Sequence, residues 1–98
     1  MIQDQDVDAR LDYKINWGPI LDGDPIQTSD WFVSYPENDE TLELSDQSFD
    51  DTSATVVVEV LSEFRAEALF GFYEVTNRIT TQSDRQEDQS IAFRMVEK

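Results

Sequence analysis

Strict alternation of apolar and polar residues, in short runs separated by polar turns, most constrains the fold of this chain. The run LDYKINW (11–17) places Leu11, Tyr13, Ile15 and Trp17 on one side and Asp12, Lys14 and Asn16 on the other. Side chains of a strand point alternately to its two faces, so this run reads as a half-buried antiparallel strand. FYEVTNRITT (72–81) has the same period, with Tyr73, Val75, Asn77 and Ile79 set against Glu74, Thr76, Arg78 and Thr80. IQTSDWFVSY (26–35), TLELS (41–45), the β-branched ATVVVEV (54–60) and SIAFRMVEK (90–98) read as further strands. Between them GPILDGDP, PENDE, DQSFDDTS and QSDRQED carry the Gly, Pro, Asp, Asn and Ser that turns require. About six or seven short strands at this spacing predict an all-β antiparallel sandwich. The acidic start, residues 1–9, has little to bury and is expected to fray.

Composition narrows the function. Ninety-eight residues suffice for one domain with one core, and 39% hydrophobic residues make disorder an unneeded explanation of the charge. That charge is −15, from 22 acidic against 7 basic residues. Nucleic acids and anionic membranes are bound chiefly through cations, so neither is an expected partner. An acidic surface instead favours a dispersed monomer over a homo-oligomer, or steers the chain toward a basic partner. No apolar run of membrane-spanning length and no leader pattern is present, so no membrane segment or cleavable signal is expected.

The absence of Cys and His removes thiolate nucleophiles, disulfides, Cys-based zinc sites and imidazole acid–base chemistry. Phosphate-cradling glycine loops and a G-x-S-x-G elbow are missing, and nothing singles out one carboxylate pair, so no catalytic residue is expected. Asp4, Asp6 and Asp8 stand at alternate positions like the start of an EF-hand loop. The pattern fails at Ala9, where glycine belongs, and at Ile15, where the closing glutamate belongs. Asp22 with Asp24, and Asp46 with Asp50 and Asp51, read as solvated acidic turns, so no metal and no cofactor is expected.

One stretch breaks the β pattern. LSEFRAEALFGF (61–72) joins two strands where a hairpin turn would do, and it reads as a short helix over 62–70. Ser62 is a suitable N-cap, Glu63 and Glu67 sit toward the positive end, and Gly71 suits the position past the last turn. On a helical wheel Leu61, Phe64, Ala68 and Phe72 share a stripe with Leu69 at its edge, and Phe70 lies opposite. If the stripe faces the core it seals one end of the sandwich and leaves Phe70 outside beside Ala66 and Leu69. If it faces outward, the exposed apolar surface is larger. Lengthening a loop by about six residues costs only tenths of a kcal/mol, whereas burying one Phe on a partner returns about 1.5–3 kcal/mol. A second irregularity is Trp31-Phe32-Val33, which cannot all face one core. A bulge would bury both rings; otherwise one of Trp31 and Phe32 points outward, and Phe32 could then join the loop in one contact surface.

Two stretches, LDYKINWGPILDGDPIQTSDW and YEVTNRITTQSDRQEDQSIAFRMVEK, together resemble a family of small immunoglobulin-like phage proteins of the virion gene cluster, described as fiber or head–tail-region proteins. The resemblance covers about half of the chain and implies a β-sandwich without an enzymatic role. It also implies residence in the virion particle, with another virion protein or a second copy as partner. Ile20 and Pro25 stand where relatives tend to have Trp and Thr, and the link over 61–72 is longer and more apolar than the usual short turn.

The resulting expectation is one immunoglobulin-like sandwich over 1–98 that presents the 59–72 loop for non-catalytic protein–protein interaction. Phe64, Ala66, Leu69, Phe70 and Phe72 from the loop, with Phe32, are the expected partner-binding residues. Because the departures concentrate at turns, the first reading is an engineered binder on a phage scaffold. The alternative is a natural virion protein whose loop seals its own core or mediates self-assembly.

Overall fold

Ala54, Val56, Val58 and Val60 repeat with period two and are each fully buried, which makes their strand the spine of one sheet. The computed structural model describes residues 2–97. In chain order the elements are β1 (Ile2–Asp6), β2 (Arg10–Asn16), helix α1 (Gly18–Leu21), β3 (Ile26–Tyr35), β4 (Leu42–Phe49) and β5 (Ser53–Val60). A 3-10 turn (Ser62–Phe64), helix α2 (Arg65–Ala68), β6 (Phe72–Thr81) and β7 (Gln86–Val96) follow. The strands form two sheets, ordered β1-β7-β6-β3 and β2-β5-β4. Every pairing is antiparallel except that of β1 with β7, which is parallel with Ile2 opposite Ala92 and Asp6 opposite Val96. This is the expected immunoglobulin-like sandwich.

The inner faces carry the core, where Trp17, Val75, Ile79, Phe93 and Met95 are fully buried. The Tyr13 and Phe93 rings meet edge to face at 4.7 Å across the two sheets. A buried polar pair joins the sheets as well. The Trp17 indole Nε1 donates to Asn77 Oδ1 at 2.8 Å, and Asn77 Nδ2 donates to Ser29 Oγ at 2.9 Å and to the Asp30 carbonyl at 3.1 Å. Trp31 points inward and is 6% exposed, and Phe32 points outward; both register shifts of β3 lie elsewhere, at Ile26/Thr28 and Val33/Tyr35.

Several segments depart from the sequence reading. Residues 2–6 form a strand where 1–9 was expected to fray, and Met1 lies outside the described residues. Gln5 anchors this strand: its amide donates to the Val58 carbonyl at 3.1 Å and accepts from the Tyr13 hydroxyl at 3.0 Å. A fully buried glutamine with partners at both ends gives no apolar signal. GPIL, read as turn, forms the single turn of α1 with Pro in its first positions. β4 runs on to Phe49 through an irregularity at Ser45/Ser48, where Asp46 takes φ 49°. β7 begins at Gln86 rather than Ser90, because its polar first half pairs with β6 through a turn of only 82–85; Lys98 lies outside the described residues.

The molecule measures 44 Å along its long axis and 24 Å by 22 Å across. One pole gathers the turns at 17–25, 50–52 and 82–85, tied by backbone bonds such as Ile26 N to Asp51 O at 3.0 Å and Gln82 N to Pro25 O at 3.0 Å. Asp50 organises the second of these turns, accepting from Thr52 N at 2.9 Å and Ser53 N at 2.8 Å, and from Ser53 Oγ at 2.9 Å. The Thr52 and Ser53 donors hold its carboxyl below the ordinary 3.8. A folded pKa below the unfolded one contributes stability that is fully present above the unfolded value and fades as pH falls through the folded value. The stability gap between the wild type and Asp50→Asn is therefore expected to be constant at neutral pH and to close below the ordinary aspartate value of 3.8. Urea unfolding of both proteins from pH 7 to pH 2.5, about the acid limit of such carboxylate linkage, tests this; a gap that widens on acidification would overturn it.

Candidate aromatic docking pole

At the opposite pole the chain between β5 and β6 must turn back over the open end of the core, and its composition decides how. Ala68 is 1% exposed, and Phe64 and Leu69 pack partly buried against the core, so the loop's inner side seals the sandwich. Leu61 N donates to Thr41 O at 2.9 Å, Phe70 N to Met95 O at 2.7 Å, and Met95 N to Gly71 O at 2.9 Å. Arg65 adds ion pairs from Nε to Asp8 at 3.9 Å and from Nη2 to Glu59 at 3.7 Å. The loop is thus fixed at both ends and in the middle.

Its helical part is shorter than expected and differently capped. Ser62 is the first residue of the 3-10 turn rather than the N-cap, and no side chain caps either helical piece. The left-handed residue is Phe70, at φ 64°, where glycine would be usual. Gly71 meets a different demand: a Cβ there would come within 2.8 Å of the Ala68 carbonyl oxygen and 3.2 Å of the Tyr73 ring. The sequence signal for a glycine stop was present, and steric approach rather than backbone angle accounts for it.

The expected partner-binding residues divide into three groups. Among the described residues Phe70 is the most exposed large apolar one at 73%, Phe72 is 39% exposed, and Ala66 is exposed on α2. Phe64 and Leu69 are turned mostly inward. Phe72 does not share their stripe, because β6 starts there and the period changes from 3.6 to two; it lies on the outer sheet face, opposite Arg94 in register. Phe32 is also on that outer face but does not join the loop. It stands opposite Thr76, with the Arg78 guanidinium 5.2 Å above its ring. Ser34 and Glu74 separate it from Phe72, Thr76 Oγ1 donating to Ser34 Oγ at 2.8 Å and Ser34 Oγ in turn to Glu74. Sequence reasoning missed Tyr35, which is 55% exposed and meets Phe72 edge to face at 5.9 Å. Its signal was an aromatic at a strand end immediately before Pro36, where the chain leaves the sheet.

Four acidic residues, Glu37, Glu40, Glu63 and Glu67, lie exposed on the two loops of this pole. Among the described residues no ion pair involves any of them. Among the described residues the cations near this pole include Arg65, engaged as above, Arg10, which pairs with Asp46 and Glu59, and exposed Arg94. Elsewhere the acidic turns are occupied by their own donors. Asp6 accepts from Asp8 N at 3.0 Å, Asp46 pairs with Arg10 at 2.6 Å, and Asp24 accepts from Ser83. Among the described residues no three acidic side chains converge as a cation site would require. An open pocket of about 210 Å³ beside Leu21 and Pro25 is lined by Asp24, Asp51 and Thr52.

No curated protein matches the sequence. Among solved structures the chain is similar to one described as the solution structure of the PKD domain from KIAA 1837 protein, at a TM-score of 0.61 and 15% identity. The similarity covers 99% of this chain and 79% of that one, and it supports the fold. The sequence profile of a phage family, Podophage GP4 fiber-tail adaptor protein gp77, matches residues 5–94. That span takes in both sheets and the sealing loop, and the chain belongs to this family of fiber-tail adaptor proteins.

Proposed function

We propose that this chain is a non-catalytic adaptor domain of a phage tail that binds a protein partner through the aromatic pole. Phe70, Phe72 and Tyr35 form the contact, with Ala66 and the exposed edge of Leu69 beside them. The observation that carries the reading is Phe70. A phenylalanine 73% exposed in left-handed backbone costs stability and seals nothing, so its ring is accounted for by what lies outside the domain. The description of the family as a fiber-tail adaptor supplies the class of partner, a tail or fibre protein. Of the two orientations the sequence allowed, the loop takes the inward one, its inner side closing the core and Phe70 left outside. A family match running through the loop favours a natural virion component over a designed binder. The absence of His and Cys supports a role without chemistry.

In the phage that encodes this chain, Phe70→Ala/Phe72→Ala is expected to yield particles whose tails lack fibres by electron microscopy, while the purified variant keeps the wild-type circular dichroism spectrum. Full fibre occupancy with the folded double variant would remove the aromatic pole from the adaptor reading.

A further inference from the structure

We propose that the partner's matching surface is an apolar pocket rimmed by lysine or arginine, an inference that rests on the adaptor reading above. Glu37 and Glu40 follow Tyr35 on one loop, and Glu63 and Glu67 precede Phe70 on the other. The two loops are joined by the Leu61 N to Thr41 O bond, so the four carboxylates belong to one surface around the rings. All four are exposed and unpaired among the described residues, unlike Asp46, Asp88 and Glu59, which meet arginines. Among the described residues the nearby cations do not cancel them: Arg65 is held between Asp8 and Glu59, Arg10 pairs with Asp46 and Glu59, and Arg94 supplies a single charge opposite Phe72 in register.

Charge decides between the possible occupants. A second copy docking through this pole would bring two such rims together, on chains of net charge −15 each, and like charges across an interface are repulsive. An acidic or nucleic-acid partner meets the same field. A basic rim around an apolar pocket is complementary at both levels: the rings supply the desolvated centre and the carboxylates steer the approach. Rim charges act mainly on the association rate and central anchors on the dissociation rate.

The test uses the full chain and, as probes, the purified tail and fibre proteins of the same phage, immobilised one at a time. Glu63→Lys/Glu67→Lys is expected to slow association with the binding protein about tenfold at low salt, and raising the salt is expected to slow the wild type toward the same rate. Asp12→Lys/Asp30→Lys makes the same change in net charge away from this pole and is expected to slow it far less. Phe70→Ala is expected to speed dissociation. Wild-type association by the Glu63/Glu67 variant, with Phe70→Ala still impaired, would overturn the basic-rim inference and leave the adaptor reading standing. Unimpaired binding by Phe70→Ala, or a wild type that binds none of these proteins, would overturn the adaptor reading itself. A Phe70-dependent dimer in sedimentation would overturn the inference in favour of a second copy.

Discussion

Trp17→Ala is expected to cost about 4–5 kcal/mol, at the upper end of the range for deleting a large buried aromatic. The indole is fully buried and lies just past β2, at the end of one sheet, and its Nε1 reaches across to Asn77 in the middle of the other. Truncation opens a cavity between the sheets and strands Asn77 Oδ1 in the core, so a packing loss and an unsatisfied acceptor add. A domain of this size holds about 5–15 kcal/mol in all, so the variant should be largely unfolded at moderate urea. Trp17→Phe separates the two contributions. It keeps most of the apolar volume, removes the donor, and is expected to cost about 1–3 kcal/mol. Urea midpoints for the three proteins decide the matter. If Trp17→Phe were as stable as the wild type, the Trp17–Asn77 bond would have no part in holding the sheets together.

The second large effect separates stability from binding. Phe70→Gly is expected to stabilise the isolated domain by about 0.5–1 kcal/mol, because glycine takes φ 64° without the cost a Cβ imposes and this gain outweighs its looser unfolded state. The same substitution removes the central ring and is expected to weaken partner binding by at least about 2 kcal/mol, roughly thirtyfold. Phe70→Ala should bind as poorly with little change in stability, since it keeps the strained backbone and exposes no new core. Opposite signs for folding and binding at one residue are what a presented anchor produces. A Phe70→Gly variant destabilised by more than about 1 kcal/mol would mean that the ring is packed against its own domain instead.

How far the sequence carried the structure depends on where the information was stored. β5 and β6 were legible nearly to the residue because their inward side chains are apolar and alternate, as in Tyr73, Val75 and Ile79. β1 was not, since its one fully buried side chain is Gln5 and its pairing is set by Phe93, Met95 and the rest of β7 far along the chain. The first half of β7 is exposed and polar for a related reason: it extends a hairpin and covers no core there. In the loop, composition set Ala68 and Phe70 on opposite sides but left open which side met the core; Ala68 lies inward and Phe70 outward. The end of the helix was misassigned because Gly71 answers to a neighbour's carbonyl, which no local pattern encodes. Phe32 was grouped with the loop because sequence does not measure the separation set by the β3–β6 register.

The parallel pairing of β1 with β7 has a mechanical consequence. A tension that draws the start of β1 and the end of β7 apart along the strands pulls the two past each other lengthwise. The pairs from Ile2–Ala92 to Asp6–Val96 then share the strain together, and none is peeled away ahead of the rest. Gln5 adds a pin on the same strand, holding it by its side-chain amide to the opposite sheet at Val58. Pulled in that direction, the domain resists as a lap joint does and not as a zip.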